Sequence, residues 1–200
     1  MRLTTEHDVQ ELFRRHRALP VHVYAILPVS IRDGKWMHAL AQVRDNGRIG
    51  FPGGRAGVFP SMPSYHELEA SMSGELFEEH GVSFAHVSSK LAAAGATFTV
   101  RWALVEQGVG HWHDRHLIVY YHWTPPVTGT GYPPFGLDLS HLLLRTAGAK
   151  DLGSEVLGVL AVPFGPPPSH VEKYRGKAFR NTTHHVWEFP HRELLAGCRS

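Results

Sequence analysis

The segment from Ser64 to Gly81 constrains the fold more than any other part of the chain. Ser64 and Glu67 have the spacing of a capping box, in which each side chain bonds to the backbone N–H of the other residue. Gly81 stands where a helix C-terminal cap is expected. We therefore predict a helix over residues 65–80. Its apolar stripe at helical spacing consists of Leu68, Met72, Leu76 and Phe77.

The composition indicates one globular domain over residues 1–200, with 42% hydrophobic and 19% charged residues. No run of eighteen apolar residues occurs, so we expect no membrane span. The N-terminal residues mix acidic and basic side chains, which is unlike a secretory signal. A single cysteine, Cys198, excludes an internal disulfide framework and favours an intracellular location, nuclear or cytoplasmic. The net charge of +2 comes without a polybasic block.

Strand and helix patterns alternate along the rest of the chain, which predicts a mixed α/β (α+β) fold. A hairpin with its turn at Asp33-Gly34 is expected between the first two strands. The predicted strands are 21–29, 36–43, 97–106, 116–123 and 155–163, and the predicted further helices are 6–18, 137–148 and 186–197.

Three carboxylates crowd about one turn of the predicted helix, at Glu75, Glu78 and Glu79. Like charges three and four residues apart repel by a few tenths of a kcal/mol per pair, so a compensating partner is expected. Carboxylate oxygens suit hard divalent cations such as Mg²⁺, which bind with substrate phosphates. A solvated acidic face is the alternative interpretation.

A loop of small residues, "GFPGGR", precedes the acidic helix, and the combination resembles the signature of the Nudix hydrolase family. Gly53 and Gly54 resemble the glycines that open the family's loop–helix–loop motif, placed here at about 53–82. The resemblance implies a mixed β-sheet sandwiched between helices and a Mg²⁺ or Mn²⁺ cofactor. It implies Glu75, Glu78 and Glu79 as metal ligands and Glu78 and Glu79 as catalytic residues. The matching positions are Glu75, Leu76, Glu78, Glu79, Gly81 and Val82.

The chain departs from that family pattern in two places. An enlarged loop at 55–63 separates Gly54 from the helix, and Glu67 and Glu69 are the candidates for the motif's first acidic position. Gly74 stands where the family has an arginine that pairs with a neighbouring glutamate. Replacement by Arg48 or Arg55 is left open.

Several segments, among them "RDNGRIGFPGG" and "KDLGSEVLGVLAVP", resemble the Nudix subfamily of the nuclear RNA-decapping enzyme that also hydrolyses inosine diphosphates. That resemblance implies a homodimer. It also implies that Glu155 approaches the metals and that the purine base is contacted by Arg44, Tyr24 or His22, Phe179 and Asn181. Ordinary structural roles, such as a strand-start glutamate or a buried tyrosine, remain alternatives.

Histidines cluster at His111, His113 and His116 and again at His184-His185. Structural zinc sites usually include cysteine, and no cysteine is near these positions. We therefore expect solvated loop residues, with contact to a substrate phosphate as the alternative.

The sequence thus predicts hydrolysis of a nucleoside-diphosphate-linked substrate, with capped RNA or a purine nucleoside diphosphate favoured. An RNA- or protein-binding protein of the same fold with weakened catalysis is one alternative, favoured by Gly74. A hydrolase of small nucleotide sugars or dinucleotides is another, because a polybasic patch is missing.

Overall fold

The computed structural model describes residues 2–16, 19–30, 38–56, 63–109, 112–124, 126 and 136–163. Its helices are α1 (Glu6–Arg15), α2 (Tyr65–His80), α3 (Phe84–Ala93) and α4 (Leu139–Thr146). Its strands are β1 (Arg2–Leu3), β2 (Val21–Ile26), β3 (Pro28–Ser30), β4 (His38–Arg44), β5 (Ile49–Gly50), β6 (Gly53–Arg55), β7 (Thr97–Val109), β8 (Trp112–Thr124), β9 (Leu137–Asp138) and β10 (Val156–Pro163).

The strands form two mixed sheets, which confirms the predicted mixed α/β class. The first sheet has the order β1-β7-β8-β2-β6, and the second has the order β10-β4-β3-β9 with β5 also paired to β4. β2 is parallel to β8, and β3 is parallel to β9, while the other pairs are antiparallel. No described helix is long and apolar enough to cross a membrane.

The predicted strand 21–29 divides at Leu27 into β2 and β3, which belong to different sheets. The carbonyl of Leu27 accepts a hydrogen bond from the backbone N–H of Leu40, so the chain passes from one sheet to the other without leaving a buried acceptor unpaired. β3 and β4 are antiparallel, as the predicted hairpin requires. Its turn at Asp33-Gly34 and the predicted helix 186–197 lie outside the described residues.

Strand β2 separates two apolar clusters because alternate side chains of a strand point to opposite faces. Val21, Val23 and Ala25 belong to the cluster packed on the helices, whereas Tyr24 and Ile26 belong to the cluster shared with β4 and β5. This alternation places the helices on one face of β2 and the second sheet on the other.

Helix α2 has the predicted ends. Ser64 and Glu67 form both bonds of the capping box, and Gly81 caps the C-terminus in the left-handed region with φ of 64°. Three residues of the predicted stripe, Leu68, Met72 and Leu76, are fully buried. Phe77 is 64% exposed, contrary to the prediction. Because each helical residue advances about 100°, Phe77 lies beyond the edge of the face that Leu68, Met72 and Leu76 define.

Helix α3 was not predicted from the sequence. Ser83 caps its N-terminus, and Phe84, Val87 and Leu91 supply three buried residues at helical spacing. A short connection from Gly81 brings α3 directly after α2.

A buried histidine should make the fold sensitive to acid. Burial, with the charge of Arg101, lowers the pKa of His122 to about 4 from an ordinary 6.5. The unfolded chain therefore binds this proton more readily, and folded-state stability falls as the pH drops from about 6.5 to 4. We predict that His122→Leu removes about 1–3 kcal/mol of this loss, at about 1.36 kcal/mol per pKa unit, in urea unfolding across that window.

The control for this measurement is His86→Leu, at an exposed position of α3. It should leave the pH slope as in the wild type, because the His86 side chain is solvated in both states. An unchanged slope in His122→Leu would contradict the prediction.

Candidate functional site

The C-terminal half of α2 lies against the glycine strand β6 and strand β4, and Glu79 is the point of contact. Its carboxylate is fully buried. Oε1 accepts hydrogen bonds from Gln42 Nε2 at 2.7 Å and from Arg44 Nη1 at 2.8 Å. Oε2 accepts the backbone N–H of Gly53 at 2.8 Å. Burial raises the pKa of Glu79 to about 7, against the opposing effects of Arg44 and the hydrogen bonds from Gln42 and Gly53.

Arg44, at the end of β4, joins this carboxylate to the glycine loop. Its side chain is 9% exposed, and the ion pair with Glu79 measures 2.8 Å. Nη2 donates to the carbonyl of Phe51 at 3.3 Å and to the carbonyl of Gly53. A guanidinium suits this position because its planar fork serves several acceptors at once and stays protonated. Its predicted contact with a purine base stays a prediction.

A chain of buried polar groups supports Glu79 from the side of α4. Gln42 donates its amide to Glu79, so its Oε1 is left to accept from His80 Nε2 at 3.0 Å. Burial, and secondarily the charge of Arg44, lowers the pKa of His80 to about 4, which keeps the imidazole neutral. Its Nδ1 lies 3.1 Å from the hydroxyl of Thr146, which is 2.9 Å from the carbonyl of Leu142. The four side chains therefore link α4 to β4 through α2.

Glu75 lies one turn before Glu79 and packs against Gly54. A Cβ on Gly54 would lie 2.5 Å from Oε1 of Glu75, so the glycine makes room for this carboxylate. Burial raises the pKa of Glu75 to about 7; Arg44 opposes the shift, and the carboxylates of Glu155 and Glu78 add to it. Within the described residues the Glu75 carboxylate forms no ion pair or hydrogen bond.

Two further acids lie on the outer side of Glu75, in the turn before β10. Asp151 and Glu155 both raise the pKa of Glu75 through their charge. The backbone N–H of Asp151 bonds to the carbonyl of Glu78 at 3.1 Å. The Glu78 side chain is 45% exposed and pairs with Lys150 at 2.9 Å. Asp45 of the β4–β5 turn donates its N–H to the carbonyl of Glu155 at 3.0 Å, which ties this turn to β4.

The predicted metal ligands thus fall into two environments. Glu75, Glu78 and Glu155 are not fully buried, and the charges of Glu155 and Glu78 add to the effect of burial in raising the pKa of Glu75, which a divalent cation would offset. The Glu79 carboxylate already accepts three hydrogen bonds from protein groups. Among the described residues, no three or more His, Cys, Asp or Glu side chains are close enough together to hold a metal ion.

The two residues of β2 predicted to contact a base lie beside the glycine strand. In the β2–β6 pairing, Tyr24 is opposite Gly53 and His22 is opposite Arg55. The rings of His22 and Tyr24 are parallel, with centroids 6.2 Å apart, and Tyr24 is buried. His116 Nδ1 lies 3.2 Å from His22 Nε2. Burial, and then the charges of His116 and Arg55, lower the pKa of His22 to about 4.

Other sequence candidates lie away from this site or beyond the described residues. Glu67 is used by the capping box of α2, and Glu69 raises the pKa of Tyr65, so both occupy the opposite end of the helix. The cation bonded to Glu79 is Arg44, where Arg48 and Arg55 were the alternatives. The candidates outside the described residues are Phe179, Asn181, His111, His184 and His185, and the side chain of His113 is not described.

Sequence reasoning missed the supporting residues Gln42, His80 and Lys150. Gln42 is the one amide within the otherwise apolar run "ALAQV", a pattern that signals a buried polar contact. His80 directly follows the acidic turn. Lys150 is separated from Glu78 by 72 residues, so no local pattern indicates their pairing.

No protein-family model matches the chain, and no curated protein matches it. Among solved structures, NrtR of Shewanella oneidensis with a 27-mer DNA is 15% identical at a TM-score of 0.44, over 90% of this chain and 61% of that chain. The NUDIX domain of the same protein with ADP ribose is 15% identical at a TM-score of 0.42, over 98% and 97%. An Ap4A hydrolase of C. elegans is 8% identical at a TM-score of 0.40, over 82% and 96%. Matches at these values assign no function to this chain.

The two glycines of β6 should respond differently to the same substitution. Gly53 has a φ of 134°, and a Cβ there would lie 2.9 Å from the Cα of Tyr24, so backbone must move. At Gly54 the obstacle is the flexible end of Glu75. We predict that Gly53→Ala destabilises the fold by about 2–3 kcal/mol or more and Gly54→Ala by about 1 kcal/mol or less. Urea unfolding measures both, and equal losses would refute the assignment.

Proposed function

We propose that this chain is a metal-dependent hydrolase of the Nudix type, which cleaves a diphosphate linkage in a nucleoside-diphosphate-linked substrate. One observation carries the proposal. The glycine strand and the acidic helix, predicted to act together, are in contact: Glu79 bonds to the N–H of Gly53, and Glu75 fills the space beside Gly54.

Glu75 is the residue best placed to bind a divalent cation, with Glu78 and Glu155 beside it. Its carboxylate is half-buried, and the neighbouring acids raise its pKa. When bound, Mg²⁺ or Mn²⁺ would polarise a phosphoryl oxygen and lower the pKa of a water molecule. The protein's own contribution is to hold Glu75 against the backbone of Gly54, where the missing Cβ leaves room for the carboxylate.

Within this class, capped RNA and inosine or guanosine diphosphate are the substrates we favour. The sequence segments that resemble the decapping subfamily support this choice, and His22, opposite Arg55 in the β2–β6 pairing, lies next to the glycine strand. Small nucleotide sugars and dinucleotides belong in the same assay, because the net charge of +2 comes without a polybasic block. The homodimer implied by the resemblance is part of the same proposal.

A binding protein with the same fold is the second candidate, and the ion pair of Glu79 favours it. A buried carboxylate that already accepts bonds from Arg44, Gln42 and Gly53 has little acceptor capacity left for a metal ion. If Glu75 does not bind a metal ion either, the site would recognise a ligand without hydrolysing it.

We predict that the wild type hydrolyses at least one of these substrates with Mg²⁺ or Mn²⁺ and that Glu75→Gln reduces kcat by about 10²-fold or more. The amide keeps the shape of the side chain but removes the charge that attracts the cation. Release of phosphate or nucleoside monophosphate measures turnover, and water-proton relaxation by Mn²⁺ measures binding directly.

The matched control is Glu69→Gln, a carboxylate on the same helix that lies beside Tyr65. It should keep both turnover and Mn²⁺ binding. The hydrolase is ruled out if the wild type, with either metal, is no faster than Glu75→Gln on every substrate. Retained binding of capped RNA would then support the second candidate.

A further inference from the structure

We propose that Arg44 is a positioning residue that supplies, from strand β4, the cation missing at Gly74, and that it holds Glu79 as a fixed anchor rather than a metal ligand. The inference rests on the function proposed above and describes how that site is assembled.

Protein donors occupy most of the acceptor positions of the Glu79 carboxylate. An ionised carboxylate has about four lone-pair positions. Two on Oε1 are taken by Arg44 and Gln42, at 2.8 Å and 2.7 Å, and one on Oε2 is taken by the N–H of Gly53 at 2.8 Å. All three donors belong to the protein core, and the carboxylate is fully buried. Three of the four positions are thus occupied by protein donors, and the burial of the carboxylate restricts access of a metal ion to the remaining one on Oε2.

The cation that pairs with Glu79 is supplied by strand β4 and not by helix α2. A Cβ at Gly74 would meet nothing within 4 Å, and this position is exposed, so an arginine there would begin in solvent. Arg44 instead approaches Glu79 from the side of the sheet and also bonds to the carbonyls of Phe51 and Gly53. One guanidinium therefore fixes the carboxylate and the backbone of the glycine loop relative to each other.

Gln42, which is bonded to His80, also orients the Glu79 carboxylate. The amide orientation in which Gln42 Nε2 donates to Glu79 directs its Oε1 to His80 Nε2, and His80 is in turn beside Thr146 of α4. The Gln42 amide has one orientation that satisfies both Glu79 and His80, which holds Oε1 of the carboxylate from this side. Glu75, one turn earlier on the same helix, is placed by that anchor against Gly54.

Purified variants test the inference with three readouts: thermal melting, Mn²⁺ affinity by water-proton relaxation, and kcat with KM. Arg44→Gln should lower the melting temperature and reduce kcat at least 10-fold with KM changed less than threefold. Glu79→Gln should keep Mn²⁺ affinity within threefold of the wild type, whereas Glu75→Gln should weaken it at least 10-fold. The control is Arg48→Gln, in the turn that follows β4. The hydrogen bonds at Arg48 are made by its backbone, so this variant should match the wild type in all three readouts.

A double variant separates positioning from a purely structural role. Arg44→Met with Glu79→Leu replaces the ion pair by apolar side chains of similar volume, which often restores the stability of a buried pair. The melting temperature of the double variant should be higher than that of Arg44→Gln or Glu79→Gln, while its kcat stays at least 10-fold below that of the wild type. If kcat recovers together with melting, the pair is structural only and the inference is wrong.

Three other results would also overturn it. Loss of Mn²⁺ affinity in Glu79→Gln equal to that in Glu75→Gln would make Glu79 a metal ligand. A rise in KM alone in Arg44→Gln would assign Arg44 to the substrate. A gain of 10-fold or more in kcat in Gly74→Arg would show that the wild type lacks the cation.

The inference and the proposed function fail in distinguishable ways. An active wild type that gives any of the results above retains the proposed function and loses the inference. A wild type that neither hydrolyses the substrates nor binds Mn²⁺ removes both.

Discussion

The buried ion pair between Arg44 and Glu79 is the interaction on which the geometry of the site depends. It joins the end of β4 and the carbonyl of Gly53 in β6, which are nine residues apart, to the last turn of α2, 35 residues from Arg44. Burying two charges has a desolvation penalty that their attraction offsets only with good geometry and further hydrogen bonds. Gln42 and the N–H of Gly53 provide those bonds.

Close approach of backbone to carboxylate makes that arrangement sterically feasible. A Cβ at 53 would meet the backbone of β2, so the glycine lets β6 pair with β2 in the position from which its N–H donates to Glu79. The missing Cβ at Gly54 leaves room for the carboxylate of Glu75. The glycine pair therefore performs two tasks, since it lets the strand pair with β2 and lets the helix carboxylates lie directly against it.

The sequence predicted most accurately those features that depend on local chemistry. The ends of α2 follow from Ser64, Glu67 and Gly81, whose interactions span three or four residues. Partners of Glu79 and Glu78 are separated from them by 35 and 72 residues, and such pairings depend on how strands and helices pack. The division of strand 21–29 at Leu27 was missed for the same reason, because both halves are apolar and only the sheet pairing separates them.

The charges around the acidic turn do not cancel within the described residues, and this imbalance favours a cation. The charges of Glu155, Glu78 and Asp151 add to the effect of burial in raising the pKa of Glu75, and Arg44 opposes that shift. Lys150 is exposed, so its ion pair with Glu78 contributes little to the stability of the fold. Arg44 is committed to Glu79, which leaves the surplus of negative charge centred on Glu75. The guanidinium of Arg44 therefore offsets the charge at Glu79, the buried end of the acidic turn. At Glu75, the other end, the proposed divalent cation would offset the remaining negative charge.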